Sequence, residues 1–162
     1  MDSGMYRVIK KFLTEEEILY LKRVSLSCLD KSTFIPADSM NKIHLKVLAQ
    51  AQEFTRIKST IGVEQWSFHA DYNQLPDWHQ DRDEELFNKT EKLSFPACSC
   101  VLYLDIDNLK GGSLELKDKV ILPETGTLVL LESAVWHRVS NYISGKRHSI
   151  NYNFWDKPLY SS

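Results

Sequence analysis

The sequence predicts a mainly β protein, a barrel-like β-sandwich with two N-terminal helices braced against one sheet. Three observations carry that prediction. Apolar residues recur at helical spacing only between about 14 and 57. From about 63 to 156 the chain breaks into about eight short β-branched and aromatic runs separated by turn residues. In the last run, Lys146 to Trp155, Arg147, Ser149, Asn151 and Asn153 fall on one face and Ile150, Tyr152 and Phe154 on the other, a two-residue period.

Taken in order, residues 1–5 read as a frayed start, and Tyr6 to Phe12 predicts a first strand. Thr14-Glu15-Glu16-Glu17 has the form of a capping box, with Thr14 bonding a first-turn amide and Glu17 reaching back. Ile18, Leu19, Leu21, Val24, Leu26 and Leu29 follow, so a helix is predicted over 15–29. Thr33 to Ser39 contains Pro36 and reads as a loop. A second helix spans Asn41 to Ile57, with His44 expected on its solvated side. Gly62 breaks that pattern. Val63 to Phe68 is a strand with Gln65, Ser67 and His69 on one face and Trp66 and Phe68 on the other.

Asp71 to Asp77 carries Pro76 and is a loop. Arg82 to Lys92 is strongly charged, a surface loop or short helix that is either a solvated face or a lid. Cys98 to Ile106, Ser113 to Leu116, Lys119 to Leu122, Thr127 to Leu131, Val135 to Val139 and Lys146 to Trp155 supply the later strands. Turns are expected at 107–112, 124–126 and 141–145. Thr127 to Leu131 is continuously apolar, as in a strand buried on both faces. No repeat or low-complexity linker appears, so residues 1–162 read as one domain, a helical brace at about 14–57 on a β-barrel core at about 63–156.

Bulk properties narrow the function classes. With 43% hydrophobic and 26% charged residues the composition is that of a soluble globular protein. The formal net charge of -2 offers no cationic excess for a nucleic-acid backbone, so no nucleic acid is expected as a partner. Three cysteines, Cys28, Cys98 and Cys100, argue against a disulfide framework and for a reducing compartment. Cys98-Ser99-Cys100 reads either as a soft-metal pair or as two small residues on one strand face. No secretory signal opens the chain, and no apolar run approaches the ~18 residues of a membrane span. The expectation is a cytoplasmic protein with no membrane segment; the sequence carries no signal for an oligomeric state.

The chemistry centres on Trp78-His79-Gln80-Asp81. On an extended segment His79 and Asp81 leave the same face, presenting one nitrogen and one oxygen ligand. With His137 they complete a two-histidine, one-carboxylate set of the kind that holds non-haem Fe(II) and leaves positions open. Arg147 belongs to the polar stripe of the last strand, and a guanidinium facing a barrel interior needs an anion. An incoming carboxylate would satisfy it through two parallel hydrogen bonds, with Ser149 adding a third from the same face. The alternative is a surface arginine on an edge strand. A metal at His79, Asp81 and His137 with a carboxylate receptor at Arg147 suits a small dicarboxylate that also chelates metal, and 2-oxoglutarate fits.

The chain resembles the 2-oxoglutarate- and Fe(II)-dependent dioxygenases, most of all their prolyl-hydroxylase branch. The resemblance covers about Gln65 to Trp155. It rests on His79-Gln80-Asp81, Val101-Leu102-Tyr103-Leu104-Asp105, Gly111-Gly112-Ser113-Leu114, Pro123 to Val129, and His137-Arg138-Val139 with Gly145-Lys146-Arg147-His148-Ser149, in that order. It implies a double-stranded β-helix, a jelly-roll or cupin-like barrel. It implies Fe(II) on His79, Asp81 and His137, and 2-oxoglutarate on Arg147 with Ser149 and Tyr103. It also implies O2 as oxidant, ascorbate as a supporting reductant, and hydroxylation of an aliphatic C–H bond with release of succinate and CO2. The substrate would be a small molecule, peptide or protein, for instance a prolyl residue or a free amino acid.

Two departures and one retained ligand shape this expectation. Collagen-type prolyl hydroxylases usually carry lysine where this chain has Arg147. His69-Ala70-Asp71-Tyr72 stands where the family has Tyr-x-x-Gly, which bears on the substrate side. Asp81 is present, whereas halogenating relatives lack that carboxylate. Tyr72 either lines the mouth of the site or packs on the surface; Trp78 and Trp136 either wall the metal pocket or pack in the core. Trp66 and Trp155 read as core, and His148 as a non-ligand pointing away from Arg147. Two rival readings are a non-catalytic cupin-like module holding a metal or small acid, and a zinc hydrolase with the same three ligands, which would not need Arg147.

Overall fold

The structure, a computed structural model, describes residues 5–29 and 31–160; the expected frayed start, Met5 apart, lies outside the described residues. The first strand, β1, is Tyr6–Ile9, and helix α1 is Glu15–Ser25. The capping box at its start is formed: the Glu17 amide donates to Thr14 Oγ1 at 3.1 Å and the Thr14 amide to Glu17 Oε1 at 2.9 Å. Helix α2 is Lys42–Thr55, capped by Asn41. Strand β3 is Gly62–His69 and the short helix α3 is Glu84–Thr90, with strand β2, Thr33–Pro36, before α2. The remaining strands are β4 Cys98–Gly111, β5 Leu114–Leu116, β6 Lys119–Ile121, β7 Leu128–Glu132, β8 His137–Val139 and β9 Tyr142–Trp155.

These strands make two antiparallel sheets. The larger has the order β1-β7-β4-β9-β3-β2 and the smaller the order β6-β5-β8. Strand β9 is central to the larger sheet, pairing with β3 on one side and β4 on the other. Its even-numbered residues Ile150, Tyr152 and Phe154 join Leu21, Val47, Leu48 and Ala51 of the helices in the main core. The two helices therefore brace one sheet, as the hydrophobic pattern predicts. A second cluster that includes Tyr103, Leu114, Leu116 and Leu131 links the larger sheet to the smaller.

Four local expectations are corrected. Thr33 to Ser39 is not a loop: Thr33–Pro36 pairs with β3 and Ala37–Ser39 is a 3-10 turn. Pro36 is tolerated because β2 is an edge strand. The turns expected at 107–112 and 141–145 are largely ladder, since β4 and β9 stay paired out to Gly111 and Tyr142 through irregular registers. His44 is buried, not solvated: its Nδ1 accepts from the Asn41 amide at 3.1 Å, leaving Nε2–H to donate to Gln65 Oε1 at 2.9 Å. Burial lowers its pKa, against the opposing bond to Gln65, which keeps the ring neutral.

Docking of the helices dominates over their capping in this arrangement. Truncating Leu21→Ala, a side chain 1% exposed, should cost about 2–5 kcal/mol. Removing the cap with Thr14→Ala should cost about 0.5–2 kcal/mol. Urea unfolding monitored by circular dichroism measures both, and equal losses would contradict a packed brace.

Candidate metal centre and co-substrate pocket

The main chain brings His79 and His137 together. The two residues form an isolated antiparallel bridge, each amide donating to the other's carbonyl at 3.0 Å. Each ring is then fixed by its own backbone: His79 Nδ1 lies 2.7 Å from the Asp77 carbonyl and His137 Nδ1 lies 2.8 Å from the Val135 carbonyl. A carbonyl only accepts, so both Nδ1 atoms carry hydrogen and both Nε2 lone pairs face inward. Asp81 Oδ1 sits 3.2 Å from His79 Nε2 and 3.4 Å from His137 Nε2. One ligand atom from each residue falls within 4.8 Å of the others. The donor set, its proximity and the oriented imidazoles fit a divalent ion of the iron class.

Asn153, absent from the expected ligand shell, orients the carboxylate. With its nitrogen turned toward Asp81 it donates to Asp81 Oδ2 at 3.1 Å and to Ser99 Oγ at 2.8 Å. Its place on the polar face of β9 was the only sequence signal for that role. Burial opposes ionisation of Asp81, but the Nε2–H donors and charge that His137 and His79 present when their rings are protonated override it and hold the carboxyl far below its usual range. Burial likewise pulls His79 down, and the bonds to Asp81 and the Asp77 carbonyl reverse this to a net rise.

A cavity of about 340 Å³ lies between the sheets. His79, Asp81 and His137 line one part of it, and Arg147, Ser149 and Asn151 another. Arg147 is 2% exposed, and among the described residues it has no ion-pair partner. Its Nε donates to the Gly112 carbonyl, and its guanidinium carbon lies 5.2 Å from the Phe68 ring centre and 5.3 Å from that of Tyr103. Burial lowers the arginine's pKa and raises that of Tyr103, each partly offset by the other. The Tyr103 hydroxyl is buried without a hydrogen-bond partner. Ser149 pairs across the ladder with Tyr103, so both point to the same side. A buried cation without an anion beside an orphaned hydroxyl fits a carboxylate ligand.

Gly112 is more than a turn residue. Its φ is +70°, and a Cβ there would meet Arg147 Cδ at 3.0 Å. The glycine thus allows Arg147 to lie against the main chain.

The three aromatic residues expected near the substrate do not line the cavity. Tyr72 is 62% and Trp136 47% exposed. Trp78 is turned to Lys117 and Arg138, whose charged groups lie 3.9 and 4.9 Å from its ring centre. Trp66, expected in the core, lines the cavity instead, because its inward face of β3 is the cavity face. The charged segment after Asp81 is not a free lid. Asp83 caps α3 and is buried, its amide donating to the Ser94 carbonyl and its Oδ2 accepting from the Tyr160 amide. Cys98 and Cys100 are free, buried core thiols with sulfurs 4.0 Å apart. Trp155 is core, as expected.

A metal ion must displace the proton that Asp81 favours on His79. That proton is held below the raised His79 pKa and lost above it. Affinity for a divalent ion should therefore fall as pH drops through a value above the ordinary imidazole pKa of about 6.5. Ni2+ titrations across pH measure this, and an inflection below the ordinary value would contradict the pairing.

Residues 61–155 match the model of the 2OG-Fe(II) oxygenase superfamily. No curated protein matches the chain. Among solved structures, the chain superposes on the viral collagen prolyl hydroxylase of Paramecium bursaria Chlorella virus-1 in its 2OG complex with a TM-score of 0.66 at 16% identity, covering 94% of this chain and 97% of that one. A Pseudomonas putida prolyl-4-hydroxylase gives 0.60 at 16% identity, covering 94% and 88%. Iron-bound HygX from Streptomyces hygroscopicus gives 0.60 at 12% identity, covering 93% and 82%. These likenesses show the shared double-stranded β-helix fold. The sequence match spans more than half of the chain and contains all three candidate metal ligands and Arg147, and the chain belongs to the 2OG-Fe(II) oxygenase superfamily, enzymes that work with Fe(II) and 2-oxoglutarate.

Proposed function

We propose that this chain is a dioxygenase that hydroxylates an aliphatic C–H bond of a small molecule, peptide or protein, with a prolyl residue or a free amino acid as the leading substrate class. The observation that carries the reading is Arg147, buried and without an acidic partner among the described residues, in the same cavity as His79, Asp81 and His137. His79, Asp81 and His137 would hold Fe(II), and the backbone carbonyls on the two histidine Nδ1 atoms keep both imidazoles in the ligating tautomer. Asn153 keeps the Asp81 carboxylate aimed at the same point. Arg147, Ser149 and the Tyr103 hydroxyl would hold the distal carboxylate of 2-oxoglutarate. When bound, Fe(II) and 2-oxoglutarate supply O2-dependent oxidation of a C–H bond, with succinate and CO2 as co-products and ascorbate as a supporting reductant. Trp66 and Phe68 give the cavity an aromatic wall. Leu29, Ser32, Asn73 and Pro76 face the space left for the substrate. Three buried free thiols support a reducing, cytoplasmic setting.

The test is succinate release by purified protein with Fe(II), ascorbate and 2-oxoglutarate, screened against prolyl peptides and free amino acids. His137→Ala and Asp81→Ala should abolish turnover. Arg147→Ala should raise the KM for 2-oxoglutarate roughly 10- to 100-fold, the worth of a charge-assisted hydrogen bond of about 1.5–3 kcal/mol. Gly112→Ala should raise the same KM while changing kcat less, because the added methyl displaces the Arg147 side chain. Failure to bind 2-oxoglutarate anaerobically in the presence of Fe(II) would refute the proposal.

A further inference from the structure

A second H-x-D tripeptide, His69-Ala70-Asp71, ends strand β3. His69 pairs directly with His148 across the β3–β9 ladder. Their side chains leave the sheet on the face opposite Arg147 and Ser149, since neighbouring strand residues alternate. The two imidazoles stack with centroids 3.9 Å apart and planes 24° from parallel. Asp71 Oδ1 reaches 3.7 Å from His148 Nε2. One ligand atom from each of the three falls within 4.8 Å of the others, as in the His79 cluster.

Two further observations separate this group from a chance surface cluster. His69 Nε2 is buried and has no hydrogen-bond partner. Such an atom has lost its hydration with nothing in return, so the site is incomplete as the protein alone supplies it. The turn that presents Asp71 is also built, not loose. The Tyr72 and Asn73 amides both donate to the His69 carbonyl, at 2.9 and 2.7 Å, and Asn73 Oδ1 accepts from the His69 amide at 2.7 Å. Burial, with the His148 charge, lowers the His69 pKa against the pull of Asp71, so its ring is neutral and a lone pair is available.

We propose that His69, Asp71 and His148 form a second metal site, taking a divalent transition ion of the zinc class, on the outer face of the larger sheet. Two imidazole nitrogens and one carboxylate oxygen are a zinc, nickel or copper donor set, and a partly exposed carboxylate leaves a position for water. An ion here bonds the 69–73 turn to β9. That turn leads directly into Asn73 and Pro76, which line the cavity. Occupancy therefore stiffens one wall of the cavity from outside it, without touching the groups that line the metal centre.

The experiment is Zn2+ titration by calorimetry into the chelator-stripped protein, with five variants. Wild type should take up two equivalents. Asp71→Asn and His148→Asn should each bind one, and His137→Ala should bind one. The double variant H137A/H148N should bind none. Asp71 is exposed in a turn, so its substitution leaves the fold intact and keeps the test valid if His148→Asn is unstable. Zn2+ should also raise the Tm of His137→Ala, and Asp71→Asn in that background should abolish the rise. One equivalent in wild type that vanishes in His137→Ala overturns the second site and leaves the metal centre standing. A second equivalent that persists in both Asp71→Asn and His148→Asn overturns it as well. One equivalent kept in His137→Ala and lost on adding Asp71→Asn supports the second site whatever becomes of the first.

Discussion

The architecture depends on the two-residue alternation of β9. One face of this strand buries Ile150, Tyr152 and Phe154 under the helices, with Ile150 and Phe154 each worth about 1.5–3 kcal/mol when fully removed from water. The other face carries Arg147, Ser149, Asn151 and Asn153, all buried, into the space between the sheets. A slip of one residue in the pairing with β3 or β4 would exchange the faces and press a guanidinium against the helix core. The hydrophobic face thus fixes the register, and the register places the polar groups. Stability and site geometry are set by the same ladder.

Much of this is written locally in the sequence. The capping box at Thr14, the period of β9 and the apolar run of β7 are short-range patterns with one physical reading each. The His79, Asp81 and His137 group is also legible, because H-x-D on an extended segment leaves little freedom once the third ligand is supplied. The structure adds how the group is held: the backbone bridge between His79 and His137 has no sequence signature, since any residue can make it.

What escapes the sequence is mostly long-range. His44 looks like a helix surface residue until Gln65 of β3 is brought against it. Trp66 has the composition of core, and only the sheet order makes its face a cavity wall. The run from Asp107 to Gly112 has turn chemistry, yet it lies in a ladder that absorbs it through register shifts, with Asn108 at φ 48° and Gly111 at φ 76°. A bulge between Tyr103 and Asp105 is of the same kind: one extra residue on β4 keeps Tyr103 opposite Ser149 while Ile106 comes opposite Arg147. The tripeptide at His69 was visible, but its partner His148 gained meaning only from its place across the strand.

The backbone bridge at His79 has a consequence for how the protein is loaded. Both histidines are seated by main-chain bonds that owe nothing to an ion. Domains that fold only around their metal spend most of the binding energy on ordering the chain. Here the main-chain bonds supply part of that ordering, so less of the binding energy goes to seating the rings. A histidine clamped by its own backbone meets a divalent ion with tautomer and aim already set.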